Sequence, residues 1–270
     1  MHYHIEVEPG VKVFVEDVNP TGNKTVVFVH GWPVNGKMYE YQVDMLPNYG
    51  YRCITIDLRG FGNSDRPWKG YSYNRLSDDI RVIMESLNLQ NATLVGHSMG
   101  GAIAIRYMAR HAGCRVSKLV LLGAAAPSFT RRKDYPYGMT KEQVNQLIME
   151  TSHNRPQVLA DFGKLFFASK VTPSFMNWFQ GLGLEAAGHS TINTLRSLRD
   201  EDMRLDLQAI RVPTGIFHGV LDKICPFQFA TILNSQIKGS ELYRFEHSGH
   251  GIFYDGLDLF NKNFLYFLSK

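Results

Sequence analysis

Short β-branched runs recur along the chain, each closing on a small or polar residue: His4 to Glu8, Val11 to Glu16, Thr25 to His30, Arg52 to Asp57, Ala92 to Gly96, Lys118 to Gly123, Thr214 to His218 and Glu241 to Glu246. They predict eight strands. The first two flank Pro9-Gly10, a turn signal, and read as an antiparallel hairpin. From Thr25 onward the runs are almost continuously apolar, as strands covered on both faces of a parallel sheet must be. Segments with helical spacing lie between them, among them Tyr39 to Leu46, Leu76 to Leu87 and Gly101 to Ala112. Alternating strand and helix predict a doubly wound α/β sheet with right-handed crossovers.

The alternation stops between Pro127 and Ile210. This stretch holds amphipathic patterns at Lys141 to Ser152, Pro156 to Phe167, Ser174 to Leu182 and Glu185 to Leu198, and no convincing strand. Thr140 with Gln143 matches a capping box and predicts a helix start there. We therefore expect one discontinuous core, residues 1–126 and 211–270, with residues 127–210 inserted as a helical cap over the sheet edge where such folds bind ligands.

Composition adds mainly exclusions. With 270 residues, 44% hydrophobic and 20% charged, the chain falls outside the disordered, collagen-like and coiled-coil classes. The net charge of +4 is spread along the chain, so no nucleic-acid partner is expected. Its densest basic cluster, Arg131 to Lys133, reads as a solvated loop. The N-terminus lacks the layout of a signal peptide, and no apolar run approaches the roughly 20 residues that span a bilayer. No membrane partner is expected, and the chain reads as soluble and cytoplasmic. Cys53, Cys114 and Cys225 are widely spaced and read as reduced, buried thiols.

Gly96-His97-Ser98-Met99-Gly100 directly follows one predicted strand and opens one predicted helix. In that context G-x-S-x-G places a serine on a sharp, strained turn, its Oγ raised above the sheet and a helix N-terminus behind it. A serine hydroxyl needs a base, and the base an orienting acid. Of the ten histidines, His247 and His250 lie in a glycine-flanked loop after the last strand. His250, between Gly249 and Gly251, is the better placed of the two. His97 adjoins Ser98, but neighbours on such a turn point apart, so it is expected to pack against the next strand. Asp222, in the loop after the strand ending at His218, is the expected acid. Asp134, Asp161, Asp200, Asp202 and Asp206 fall in the cap as surface or capping charges.

The oxyanion donors are expected from the backbone N–H groups of Trp32 and Met99, with Pro33 biasing Trp32 toward an extended conformation. The indole of Trp32 lines a pocket or packs in the core; sequence leaves both open. Asp57 to Asp65 is polar and glycine-rich but has no dinucleotide or Walker spacing, and reads as a turn locked by its charges. No H-E-x-x-H or matching carboxylate cluster accompanies the His247/His250 pair, so neither metal nor cofactor is expected.

The order His30-Gly31-Trp32-Pro33, Asp57-x-Arg59-Gly60-x-Gly62-x-Ser64, Gly96-x-Ser98-Met99-Gly100-Gly101, the Asp222 loop and Ser248-Gly249-His250-Gly251 resembles the α/β-hydrolase superfamily. Within it the chain is similar to the cofactor-free haloperoxidase, perhydrolase and arylesterase branch along nearly its whole length. The resemblance implies a triad of Ser98, Asp222 and His250, an oxyanion hole from Trp32 and Met99, and a small acyl substrate cleaved through an acyl-enzyme. In some such enzymes peroxide takes the place of water. His97 departs from the aromatic or apolar residue many of that branch carry. A lyase or C–C bond hydrolase on the same fold, or a ligand receptor without turnover, stays open at this stage. The cap aromatics Phe129, Tyr137, Phe162, Phe166, Phe167, Trp178 and Phe179, with Leu147, are expected to divide between cap core and pocket wall.

Overall fold

A computed structural model describes residues 1–270. Eight strands, β1 (His2–Glu8), β2 (Val11–Val18), β3 (Lys24–Val29), β4 (Tyr51–Ile56), β5 (Ala92–His97), β6 (Val116–Leu122), β7 (Thr214–Gly219) and β8 (Glu241–Phe245), form one sheet. Their order is β1-β2-β4-β3-β5-β6-β7-β8. The β1–β2 hairpin and the β2–β4 pair are antiparallel; all later neighbours are parallel. The helices are α1 (Glu40–Met45), α2 (Tyr73–Ser86), α3 (Met99–Arg110), α4 (Lys141–Phe166), α5 (Pro173–Leu184), α6 (Gly188–Asp200), α7 (Gln228–Gln236), α8 (Ile252–Asp255) and α9 (Leu257–Ser269).

Because successive strand residues face opposite ways, the apolar runs feed two separate layers. Leu94, Leu119 and Leu121 pack on one side with Ile80 and Ile83 of α2 and Ile103 of α3. Val95, Val120 and Phe217 pack on the other with Phe260 and Phe264 of α9. The spacing Phe260, Phe264, Phe267, Leu268 is an amphipathic stripe, and all four are buried. Neither α9 nor α7 is among the helices expected above.

Differences elsewhere have local causes. Ser72 caps Arg75 N–H, so α2 starts three residues before Leu76. In α4 the helix breaks at Asn154 (φ −147°, ψ 67°). Pro156 cannot donate, and the Asn154 side chain accepts from Gln157 N–H, restarting the helix. Glu185 ends α5 rather than opening α6, and its carboxylate accepts from Asn35 Nδ2 at 2.6 Å. The Thr140 capping box is present. Arg132 is not merely solvated: its guanidinium donates to the carbonyls of Arg199, Asp200 and Glu201 at the end of α6. Cys114 is only half-buried, whereas Cys53 and Cys225 are buried. No helix is long and apolar enough to cross a membrane.

The Asp57 to Asp65 segment is locked by its charges, which bond both within it and to neighbouring elements. Asp57 accepts from Gly36 N–H at 2.8 Å and Asn63 N–H at 2.9 Å. The Arg59 side chain is fully buried, bidentate on Asp79 at 2.6 and 2.7 Å and 2.5 Å from Glu8. Behind it, the Gly60 carbonyl accepts from Ala187 N–H at 2.9 Å, tying this loop to the start of α6.

Candidate active site

Ser98 sits between β5 and α3 with φ 53° and ψ −117°, a region costly for any residue with a Cβ. The turn closes because its neighbours are glycines: a Cβ on Gly96 would strike the Gly100 carbonyl, and one on Gly100 the Val29 carbonyl. Ser98 N–H donates to Leu122 O, while its carbonyl accepts from Gly101 and Ala102 at the start of α3. Its side chain caps nothing. At 5% exposure, the residue is nearly covered.

Asp222 and His250 come together from the loops after β7 and β8. His250 Nδ1 lies 2.7 Å from Asp222 Oδ2, both side chains fully buried. The other carboxylate oxygen accepts from the N–H groups of Ile224 and Cys225, each at 2.8 Å. His218 Nε2, which donates to Cys225 O at 2.8 Å, also faces Asp222 at 3.4 Å. Burial by itself would raise the Asp222 pKa, but His250 and His218 outweigh it and hold the carboxyl well below the ordinary range. The acid is ionised at neutral pH. Gly123, with φ 48°, leaves room for the pair: a Cβ there would lie 3.3 Å from His250 Nδ1 and 3.4 Å from Asp222 Oδ2. His247 is exposed and stands apart from this site.

His250 Nε2 is buried and has no hydrogen-bond partner. Ser98 is not bonded to it in this conformation. In resting enzymes such bonds are often loose and tighten only around a bound substrate. Met99 opens α3, so its N–H has no intrahelical acceptor, and no carbonyl outside the helices and strands takes it or the Trp32 N–H. The Trp32–Pro33 peptide is cis. The Trp32 indole donates to Thr191 O at 3.1 Å and meets the Phe162 ring edge-on at 5.0 Å, so it is held by the inserted helices.

Of the aromatics expected to divide between cap and pocket, Phe166 stands 5.0 Å from the His250 ring and Phe162 stands on Trp32. Phe129 is buried elsewhere, and Tyr137 is exposed. Sequence reading missed Asp255, whose carboxylate accepts from Gly249 N–H in the His250 loop and from Ala168 and Ser169 N–H beyond α4. Gly251 N–H adds a bond to Phe166 O at 2.8 Å. Only the spatial meeting of two distant loops gives Asp255 this role. His97 does not simply pack on the next strand: its Nε2 is 3.0 Å from the His250 carbonyl.

His30, at the end of β3, accepts from Leu58 N–H through Nε2 at 2.9 Å and donates from Nδ1 to Gly31 O. Burial presses its pKa from 6.5 down to about 4. The unfolded chain therefore binds a proton near pH 6.5 that the folded chain refuses until about pH 4. Stability from this group is complete above pH 6.5 and is lost as pH falls through that window, about 3 kcal/mol in all. In His30→Gln, whose amide oxygen can accept without titrating, the loss in urea unfolding free energy between pH 7 and 4 is expected to shrink by about that amount. An equal loss in both proteins would refute the assignment.

The chain matches the alpha/beta hydrolase fold family over residues 24–257. It is 51% identical to the AB hydrolase superfamily protein YisY of Bacillus subtilis, with 97% of each chain covered. Among solved structures it superposes on an esterase from Exiguobacterium antarcticum with a TM-score of 0.98, 44% identity and full coverage of both chains. A bromoperoxidase from Bacillus anthracis gives a TM-score of 0.95 at 32% identity, again over the full length of both. With an eight-stranded sheet of this order and relatives of this closeness, the chain belongs to the α/β-hydrolase family, in its haloperoxidase and esterase branch, and is a hydrolase.

Proposed function

We propose that the protein is a serine hydrolase that cleaves a small carboxylic ester, or a related lactone or amide, through an acyl-enzyme on Ser98. The observation that carries this reading is the buried His250–Asp222 pair at 2.7 Å with His250 Nε2 left unpartnered beside the strained Ser98 turn. Substrate binding brings the Ser98 hydroxyl into hydrogen-bond reach of Nε2. His250 takes the proton as Oγ attacks the carbonyl, and ionised Asp222 stabilises the imidazolium. The Trp32 and Met99 N–H groups receive the oxyanion, each worth about 3 kcal/mol in the transition state. His250 then protonates the leaving alcohol, and water resolves the acyl-enzyme.

Residues 127–210 serve as the cap in this reading. With Ser98 5% exposed and Phe162 and Phe166 close over the site, it favours small apolar acyl groups. The likeness to a bromoperoxidase favours a second outcome for the same intermediate, attack by hydrogen peroxide to release a peracid and free Ser98.

Incubation with a small aryl acetate tests the scheme. A burst of phenol matched to enzyme concentration, and acetylated Ser98 by mass spectrometry, are expected; added peroxide should divert the acyl group to peracetic acid. Turnover of aryl acetate with no acylated Ser98 at any time would overturn it and favour the proton-transfer chemistry of a lyase or C–C hydrolase.

A further inference from the structure

His97 is fully buried, and its ring lies 4.5 Å from the His250 ring, 5.4 Å from Phe166 and 5.4 Å from Phe253. A phenyl ring would make those same contacts. What distinguishes the imidazole is its two nitrogens. Nε2 is 3.0 Å from the His250 carbonyl, and since a carbonyl only accepts, Nε2 carries the proton. Nδ1 is then bare, buried and unpartnered. It faces Gly31, where a Cβ would come within 2.7 Å of it and within 2.9 Å of Ser98 Cβ. A buried unpaired nitrogen is a cost that packing alone would not select. Burial, with His250 alongside, presses the His97 pKa far down, so the ring stays neutral and keeps this tautomer.

We propose that His97 is a positioning residue. It is a strut, rooted on the Ser98 turn, that holds the His250 loop by its carbonyl and sets the distance to the Gly31-Trp32 loop. The proposal rests on the reading of Ser98, Asp222 and His250 as a triad. Without the N–H of His97, the His250 carbonyl is left unpaired in the interior and its loop moves to find a donor. Nε2 is then misplaced relative to Ser98, while the substrate pocket, built from other residues, is not.

The test compares His97→Phe, which keeps a ring, His97→Met, which keeps neither ring nor donor, and His97→Gln, which has Met's shape but an amide N–H where Nε2 stood. For the burst with an aryl acetate, the Phe and Met variants are expected to lose roughly 10- to 100-fold in acylation rate with KM nearly unchanged. His97→Gln should recover to within about five-fold of the parent. A Phe variant as fast as the parent, or Gln and Met variants of equal rate, overturns the proposal. The Gln and Met pair decides the matter if the Phe variant does not fold. Nitrogen-15 shifts of the parent's ring give an independent reading: Nε2 protonated and Nδ1 bare is expected, and the opposite tautomer overturns the proposal with no variant needed. Ser98→Ala is run alongside. If it keeps full activity, the triad reading has failed, and if it is inert while the His97 series is flat, only the strut has.

Discussion

Replacing Ser98 by alanine is expected to lower kcat on a small aryl ester by roughly 10^5- to 10^6-fold. The size follows from how the three groups act together. Removing the hydroxyl takes away the nucleophile that the His250–Asp222 pair activates and leaves only binding, water and the backbone donors of Trp32 and Met99. The residual rate should not vanish, because those donors still stabilise an oxyanion formed by water at about 10^3-fold over solution. The fold should be untouched. Ser98 makes no side-chain cap, and alanine meets the same backbone penalty at φ 53° as serine does. Asp222→Asn should cost about 10^4-fold, since an amide no longer stabilises the imidazolium and can fix the wrong tautomer of His250. Steady-state kinetics with thermal melts on the same samples measure both effects. A Ser98→Ala enzyme within ten-fold of the parent would remove the serine from the mechanism.

Arg59→Met is expected to destabilise the fold by about 3 to 5 kcal/mol, the range for breaking one side of a buried ion pair. Methionine fills much of the same volume, so most of the loss reflects charge. Asp79 is buried, and burial raises its pKa against the pull of Arg59 and Arg75. Without Arg59 it keeps only Arg75, which lies 2.9 Å away and is partly exposed. Glu8, a third exposed, returns to water more easily. Neutralising the stranded carboxylate should therefore recover part of the loss, and Arg59→Met with Asp79→Asn should be more stable than Arg59→Met alone. Urea denaturation of the two variants and the parent tests this. A double variant no better than the single one would show that packing, not charge, sets the effect. Activity should also fall in Arg59→Met, because the neighbouring Gly60 carbonyl anchors the start of α6, whose Thr191 carbonyl holds the Trp32 indole.

Much of this architecture was legible in one dimension. The eight strands follow from period and composition: the inner strands β3 to β7 are apolar because both faces are covered, while β1 and β2 alternate because one face meets water. The Ser98 turn was legible because its backbone demands glycine at 96 and 100 whatever surrounds it. Asp222 and His250 could be chosen by loop position, and they meet in space. The stripe Phe260, Phe264, Phe267, Leu268 of α9 is equally present in the sequence.

Other features have no sequence signal, because they are made by loops that meet only once the sheet has formed. Asp255 joins the His250 loop to the end of α4, and Arg132 caps α6. Each bonds to backbone groups or side chains set by distant parts of the chain. The nitrogens of His97 belong to the same class. The sequence by itself determined the strands of the sheet and the strained serine turn, since these depend on local backbone preference and apolar period. Tertiary structure alone decided what holds the histidine and closes over the serine, since a hydrogen bond between residues 97 and 250 leaves no trace in either neighbourhood.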